Sequence, residues 1–156
     1  MKRVALFEFD NVLCKTLEYV VSQRRKNKMF TFANIDHCHQ RHMDFHAYPM
    51  VMIKWLRDKN YNIHIYARRK NIDRYGVVVE TWLNDKGFDY DRLHIIDRHE
   101  PLLRYIDAYT YLVTTDIADA VHLHNMSVLS SATIVNCALN TKHKLPSYCD
   151  RLYYEF

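Results

Sequence analysis

Two carboxylates stand one residue apart near the start of the chain, in Val4-Ala5-Leu6-Phe7-Glu8-Phe9-Asp10-Asn11-Val12-Leu13. Residues 4–9 are apolar except Glu8, which predicts a buried strand. Asp10-Asn11 suits a tight turn, closed by Val12-Leu13. Strand side chains alternate with period two, so Glu8 and Asp10 are expected on one face. Such a pair can supply a nucleophile, a general acid/base or oxygen ligands for a cation. The plainer alternative is a core strand whose last residues are acidic. Two further stretches carry reactive types: Tyr66-Ala67-Arg68, followed by Arg69-Lys70, and Thr115-Asp116. A fourth, from Asn34 to His46, holds His37, Cys38, His39, His42 and His46. His42 and His46 would share a helix face at i, i+4. Structural zinc normally needs four ligands in a recognisable spacing. Zinc is therefore not expected, and a polar helix is.

The elements that would hold these residues follow from periodicity. Pro49 starts a helix to about residue 59, with Met52, Ile53 and Leu56 as its apolar stripe and Trp55 beside it. Residues 61–66 predict a second strand. Tyr75, Val78, Val79, Trp82 and Leu83 fall at helical spacing within 71–86, and Gly87 sits where a left-handed C-terminal residue is wanted. Residues 93–96, 111–114 and 132–137 predict three more strands. Short helices are expected around Leu102, Leu103 and Ile106, and around Ile117, Ala120 and Val121. Five strands alternating with helices predict an α/β, Rossmann-like parallel sheet with helices on both faces. Ligands of such sheets bind beyond the strands' carboxyl ends. Glu8-Asp10, Tyr66-Arg68 and Thr115-Asp116 all belong there, and the basic runs after strands one and two are expected on the same rim. Residues 14–48 are irregular, with a short helix around Leu17, Val20, Val21 and Arg24. The tail from residue 141 has no assignable pattern.

At 156 residues and 49% hydrophobic, the chain suits one domain with a real core. No apolar run spans a bilayer, and the first residues lack the ordered regions of a signal peptide. A soluble cytoplasmic protein is expected. The four cysteines, Cys14, Cys38, Cys137 and Cys149, are scattered and expected as free thiols. A net charge of +4 is only mildly basic, and two glycines, Gly76 and Gly87, exclude Gly-rich phosphate loops.

The order of these parts resembles the haloacid dehalogenase-like hydrolases across about residues 3–140. Members open with a strand ending Asp-x-Asp-Gly-Thr/Val-Leu, and the similar stretch here is Glu8-Phe9-Asp10-Asn11-Val12-Leu13. Tyr66-Ala67-Arg68 is similar to the second motif, often Thr-Ala-Arg. Thr115-Asp116, with Asp119 one turn on, is similar to the acidic fourth motif. Thr81-Trp82-Leu83 looks like the small-capped branch, which includes the 5'(3')-deoxyribonucleotidases and the phosphatase part of polynucleotide kinases. The resemblance implies a small cap or none, with residues 14–48 as a cap or an interaction insert. It implies a nucleophile at position 8, an acid/base at Asp10, and Mg²⁺ bridging carboxylate and phosphate. Glu8, the Asp10 backbone carbonyl and Asp116 would be the oxygen ligands.

The departures weigh against activity. Glu8 replaces the nucleophilic Asp, and one methylene moves a carboxylate by roughly an ångström, a misplacement that can cost about 10²-fold. Tyr66 replaces a phosphate-holding hydroxyl with a larger phenol. No lysine stands between Lys86 and Lys142, so the third-motif lysine is missing, with Arg98 and Arg104 the only nearby cations. Thr115 removes one acid of the fourth motif. Asn11 replaces the turn glycine, a mild change because Asn tolerates a left-handed backbone. Phosphoryl transfer is mostly positioning and electrostatics, so losing several positioned groups should reduce it severely. The expected function is a catalytically impaired binding or regulatory module, on nucleic acid or a nucleic-acid-associated protein such as the transcription machinery. Its contact residues would be Arg24, Arg25, Lys26, Lys28, Arg68, Arg69, Lys70 and Arg74. The alternative is a Mg²⁺-dependent phosphomonoesterase acting on nucleotides or polynucleotide ends through Glu8, Asp10, Tyr66 and Arg68.

Overall fold

A computed structural model describes residues 3–69, 72–97, 100–102, 111–135 and 145–153, with the side chains of 72–75 excepted. Its strands are β1 (Arg3–Glu8), β2 (Tyr61–Arg68), β3 (Arg92–Ile96), β4 (Tyr111–Thr114), β5 (Ser131–Val135) and β6 (Cys149–Leu152). Its α-helices are α1 (Thr16–Lys26), α2 (His37–Arg41), α3 (Tyr48–Asp58), α4 (Ile72–Lys86) and α5 (Ile117–Asn125). The six strands form one all-parallel sheet in the order β3-β2-β1-β4-β5-β6. The chain moves outward from β1 through β2 to β3, then returns to the other side of β1 as β4. That reversal is a topological switch point, where Rossmann-like sheets open a crevice at the strands' carboxyl ends.

Period-two alternation sorts the strands into two apolar layers. Ala5, Phe7, Ile63, Ile65 and Val113 face Ile53 and Leu56 of α3 and Val79, Trp82 and Leu83 of α4. Leu6, Tyr66, Ile96, Leu112 and Ile134 face Ala120 and Leu123 of α5. Helix α3 has Pro49 in its first turn, where a missing N–H costs nothing. Helix α4 ends at Gly87, whose φ of 79° is left-handed, and Phe88 N–H returns to the Leu83 carbonyl at 3.0 Å.

The expected count of five strands is one short. The sixth, β6, pairs in register with β5 from Ala132↔Cys149 to Val135↔Leu152. It is a four-residue edge strand reading Cys-Asp-Arg-Leu, so it needs only one protected residue and has no apolar run to reveal it. Strand β2 also runs two residues beyond expectation, to Arg68. The short helix expected around Leu102–Ile106, the end of the fifth strand including Cys137, and Arg98 and Arg104 lie largely or wholly outside the described residues. Among the described residues no helix is long and apolar enough to cross a membrane.

Residues 14–48 leave and return through a narrow stem. Cys14 pairs antiparallel with Phe45, Lys15 N–H donates to the Asp44 carbonyl at 2.9 Å, and His46 N–H donates to the Leu13 carbonyl at 2.9 Å. Between these points run α1, a 3₁₀ turn (Phe32–Asn34) and α2. Val20, Phe30, Ile35 and Met43 from this insert join the same apolar cluster as Phe9 and Trp82. Trp82 Nε1–H donates to the Met43 carbonyl at 3.1 Å, which ties the insert to α4.

On β2 and β3, His64 Nδ1 lies 3.0 Å from His94 Nε2. Burial and the neighbouring His64 push His94 down to about 4, and burial lowers His64 as well. The pair is neutral at pH 7, one ring donating to the other. A base whose folded pKa is depressed binds fewer protons folded than unfolded, so its contribution is lost as pH falls from about 6.5 toward 4. Urea unfolding should therefore lose about 1–3 kcal/mol across that window from this pair. His94→Gln should flatten that part of the profile; an unchanged profile would exclude the pair as its source.

Candidate functional site

The carboxyl ends of β1, β2 and β4 meet the first turn of α5 and the start of α1. Strand β1 stops at Glu8, and a helical turn follows, in which Leu13 and Cys14 N–H groups both reach the Phe9 carbonyl. Asn11 takes a left-handed φ of 67°, and its side chain accepts from Leu17 N–H at 2.9 Å. The turn breaks the period-two alternation. Glu8 and Asp10, expected on one face, consequently find different partners.

Glu8 turns toward β4. Its Oε1 accepts from Thr115 N–H at 2.9 Å, from the Thr115 hydroxyl at 2.6 Å and from the Thr114 hydroxyl at 3.3 Å. Burial raises its carboxyl to about 7, against the opposing pull of the Thr115 hydrogen bonds. Burial thus favours the neutral carboxyl over the carboxylate, and the neutral form is a poor nucleophile.

Asp10 turns toward β2. Arg69 forks onto it, Nη2 donating to Oδ1 at 2.9 Å and Nη1 to Oδ2. The Thr16 hydroxyl at the start of α1 also donates to Asp10 Oδ1, at 2.7 Å. Arg69 is only 8% exposed, and its Nη1 also donates to the Arg68 carbonyl at 2.8 Å. The guanidinium lies 5.7 Å from the centre of the Phe9 ring. Bidentate pairing and an aromatic face suit Arg's planar fork far better than a Lys ammonium.

A second fork lies beside the first. Arg68 donates to both oxygens of Asp119 at 2.8 and 2.9 Å. The Tyr66 hydroxyl, fully buried, donates to Asp119 Oδ2 at 3.0 Å and bonds the Thr114 hydroxyl at 2.9 Å. Burial, with Glu8 and Asp119 nearby, keeps the Tyr66 phenol far above its usual pKa, hence neutral. Asp116 caps α5, its side chain accepting from Ala118 N–H at 2.9 Å.

Glu8, Asp10, Tyr66, Arg68 and Asp116 therefore all lie on or beside this rim, as did the expectation. Arg69, expected on a contact surface, points inward. Asp119 and Thr16 are further members of the network. Asp119 stands one turn beyond Asp116, and its place beside the stretch similar to the acidic fourth motif is its signal in the sequence; Thr16 has none. A hard divalent cation needs several oxygens converging with open positions. Glu8 is turned to Thr115, the Asp10 carboxylate to Arg69 and Thr16, and the Asp116 carboxylate to the first turn of α5.

The basic residues of the insert stand apart. Arg24, Arg25, Lys26 and Lys28 are exposed, and Arg24 Nε–H donates to the Phe30 carbonyl at 2.9 Å. Arg24, Arg25 and Lys26 occupy the end of α1 opposite Thr16, with Lys28 just beyond it, so roughly 15 Å of helix separates Lys26 from Thr16. One rim does not collect every charge, because α1 leads away from it. Lys70 and the side chain of Arg74 lie outside the described residues. In the histidine segment, α2 ends at Arg41, so His42 and His46 do not share a helix. His46 is buried at the stem, and His39 Nδ1 lies 2.6 Å from the Tyr19 hydroxyl. Among the described residues, no group of three or more His, Cys, Asp or Glu is placed to hold a metal ion.

The fold and rim define a Rossmann-like α/β protein with a fully parallel sheet. No protein-family model and no curated protein matches the sequence. Among solved structures, the chain is similar to one in the Pnkp1/Rnl/Hen1 complex, at 14% identity and a TM-score of 0.63. The alignment covers 100% of this chain and 48% of that one. It is also similar to a chain of the Pnkp1/Rnl/Hen1 RNA repair complex, at 14% identity and a TM-score of 0.59, covering 99% and 43%. This chain thus spans just under half the length of those it matches, and at such identity the likeness concerns the fold.

Proposed function

We propose that this chain is a haloacid dehalogenase-like domain whose phosphate-transfer site is closed by its own side chains, and that it works as a binding module for nucleic acid or a nucleic-acid-associated protein. The observation that carries this reading is the Arg69 fork on Asp10. It occupies the carboxylate that the resemblance assigns to acid/base work. The second fork, Arg68 on Asp119, and the buried Tyr66 hydroxyl support the same reading. Phosphoryl transfer needs a free nucleophile and an open anion pocket, and these groups satisfy one another instead.

The insert is the surface we assign to contact. Arg25, Lys26 and Lys28 are exposed there, next to Met29 at 81% and Phe32 at 44% exposure. Basic side chains position a phosphate backbone without reading sequence, and exposed apolar groups beside them suit unstacked bases. The likeness to chains of an RNA repair complex supports this direction as a fold-level analogy. A salt titration with a single-stranded RNA oligonucleotide tests it. Affinity should fall with salt at a log–log slope of about −0.7 per phosphate contact. The triple variant Arg25→Ala, Lys26→Ala, Lys28→Ala should bind about 10-fold or more weakly at low salt. A salt-independent signal, or one untouched by the triple variant, would remove the nucleic-acid version of the reading.

A further inference from the structure

We infer that His64 and His94 form a binding site for a divalent transition metal that favours square-planar or tetragonal coordination, Cu²⁺ above all, and that the bound ion clamps the edge strand β3 to β2. The site uses no residue of the rim described above and none of the basic insert.

The sheet brings the two rings together. In the parallel register His64 stands opposite Arg92, and Tyr66 stands opposite His94. His64 and His94 are thus diagonal neighbours on adjacent strands, and alternation puts both on the face that carries Tyr66 and Ile96. His64 Nδ1 lies 3.0 Å from His94 Nε2, and the ring centres are 5.1 Å apart with a tilt of 39°. Both residues are partly exposed, so an ion from solution can reach them.

The spacing selects the metal. Imidazole nitrogen binds such an ion at about 2.0–2.1 Å. Two nitrogens 3.0 Å apart, each at that distance, subtend about 90–100° at the ion. A tetrahedral ion such as Zn²⁺ would need them about 3.3–3.4 Å apart. A near right angle is the one that adjacent positions of tetragonal Cu²⁺ or Ni²⁺ take, and Cu²⁺ heads the order of affinity. Metal binding needs neutral imidazole. Burial, with His64 beside it, holds His94 down to about 4, and burial lowers His64 too, so both rings are neutral at pH 7. One of the two facing nitrogens carries a proton in the metal-free pair. That proton moves to the far nitrogen of its own ring when the ion enters, so both rings stay neutral and each gives a lone pair. Water fills the remaining positions. The Arg92 charge works against the ion and the Asp91 charge in its favour. Asp91 is itself held by Arg57 at 2.8 Å and by the Ile63 N–H at 2.7 Å.

The test is a Cu²⁺ titration of the whole chain, labelled with ¹⁵N and purified without a histidine tag. Substoichiometric Cu²⁺ should broaden the amide signals of residues 63–65 and 93–95 before those around His37, His39 and His42. Electron paramagnetic resonance of the same sample should show a tetragonal Cu²⁺ with two imidazole nitrogens. Losing even a hydrogen-bond partner of a metal ligand costs about 10–100-fold in affinity. His64→Gln and His94→Gln, each of which removes one of two protein ligands, should therefore bind the first Cu²⁺ at least about 10-fold more weakly. Broadening that starts elsewhere, a spectrum with fewer than two imidazoles, or unchanged affinity in either variant overturns the inference. The two spectroscopic measurements use the wild type, so they decide the matter even where a variant fails to fold.

Discussion

Arg69→Ala is expected to lower the unfolding free energy by about 3–5 kcal/mol, the cost of removing one partner from a buried ion pair. The size follows from what stays behind. Asp10, 16% exposed at its side chain, would keep the Thr16 hydroxyl at 2.7 Å as its donor. A stranded buried charge costs far more than the intact pair contributes, because the pair's attraction mostly offsets the desolvation of both ions. The double variant Arg69→Ala, Asp10→Ala should therefore recover much of the loss, with a coupling of about 1–3 kcal/mol. Urea unfolding of the four proteins reads this directly, provided the slope with denaturant stays constant. Additive losses would mean that the two side chains do not depend on one another.

Asp119→Ala carries the second large effect, also about 3–5 kcal/mol. Asp119 accepts from both terminal nitrogens of Arg68 and from Tyr66, so its removal strands a guanidinium and a phenol together. Tyr66 retains Thr114, and the Arg68 guanidinium retains the Tyr66 ring face at 5.6 Å. Asp119→Asn keeps an acceptor and should cost less, about 1–3 kcal/mol. Asp119 sits in the first turn of α5, so its loss should also loosen that helix, and α5 amides should exchange faster relative to those of β1. Full protection of α5 in Asp119→Ala would show that the fork does not hold the helix to the sheet.

Much of the fold is legible because it obeys periodicity. Strand β1 is a nearly unbroken apolar run because both of its faces are covered, as a central parallel strand requires. Helix α4 shows its buried face at helical spacing and its end at Gly87. Strand β6 fails the same test: it lies at the sheet edge, and Asp150 and Arg151 break any run. The insert fails for another reason. Its order comes from the stem, where Cys14 and Phe45 pair across 31 residues of sequence, and from packing under Trp82. At the rim, residue types at strand ends marked Glu8, Asp10, Tyr66, Arg68 and Asp116. Their partners could not be read. Arg68-Arg69-Lys70 looks like a solvated basic run, and only the sheet's geometry shows that Arg68 crosses to α5 while Arg69 crosses to the turn after β1. The alternation that paired Glu8 with Asp10 ended one residue early, at the helical turn after Glu8.

The central claim is that this rim is closed to phosphoryl chemistry by its own arginines, and phosphate release tests it most directly. The purified 156-residue chain would be incubated with Mg²⁺ and a panel of phosphomonoesters that includes nucleoside monophosphates and oligonucleotides with terminal phosphates. Asp10→Asn serves as the matched control. The account predicts release indistinguishable between the two proteins and from buffer. Release that requires Mg²⁺ and vanishes in Asp10→Asn would contradict it.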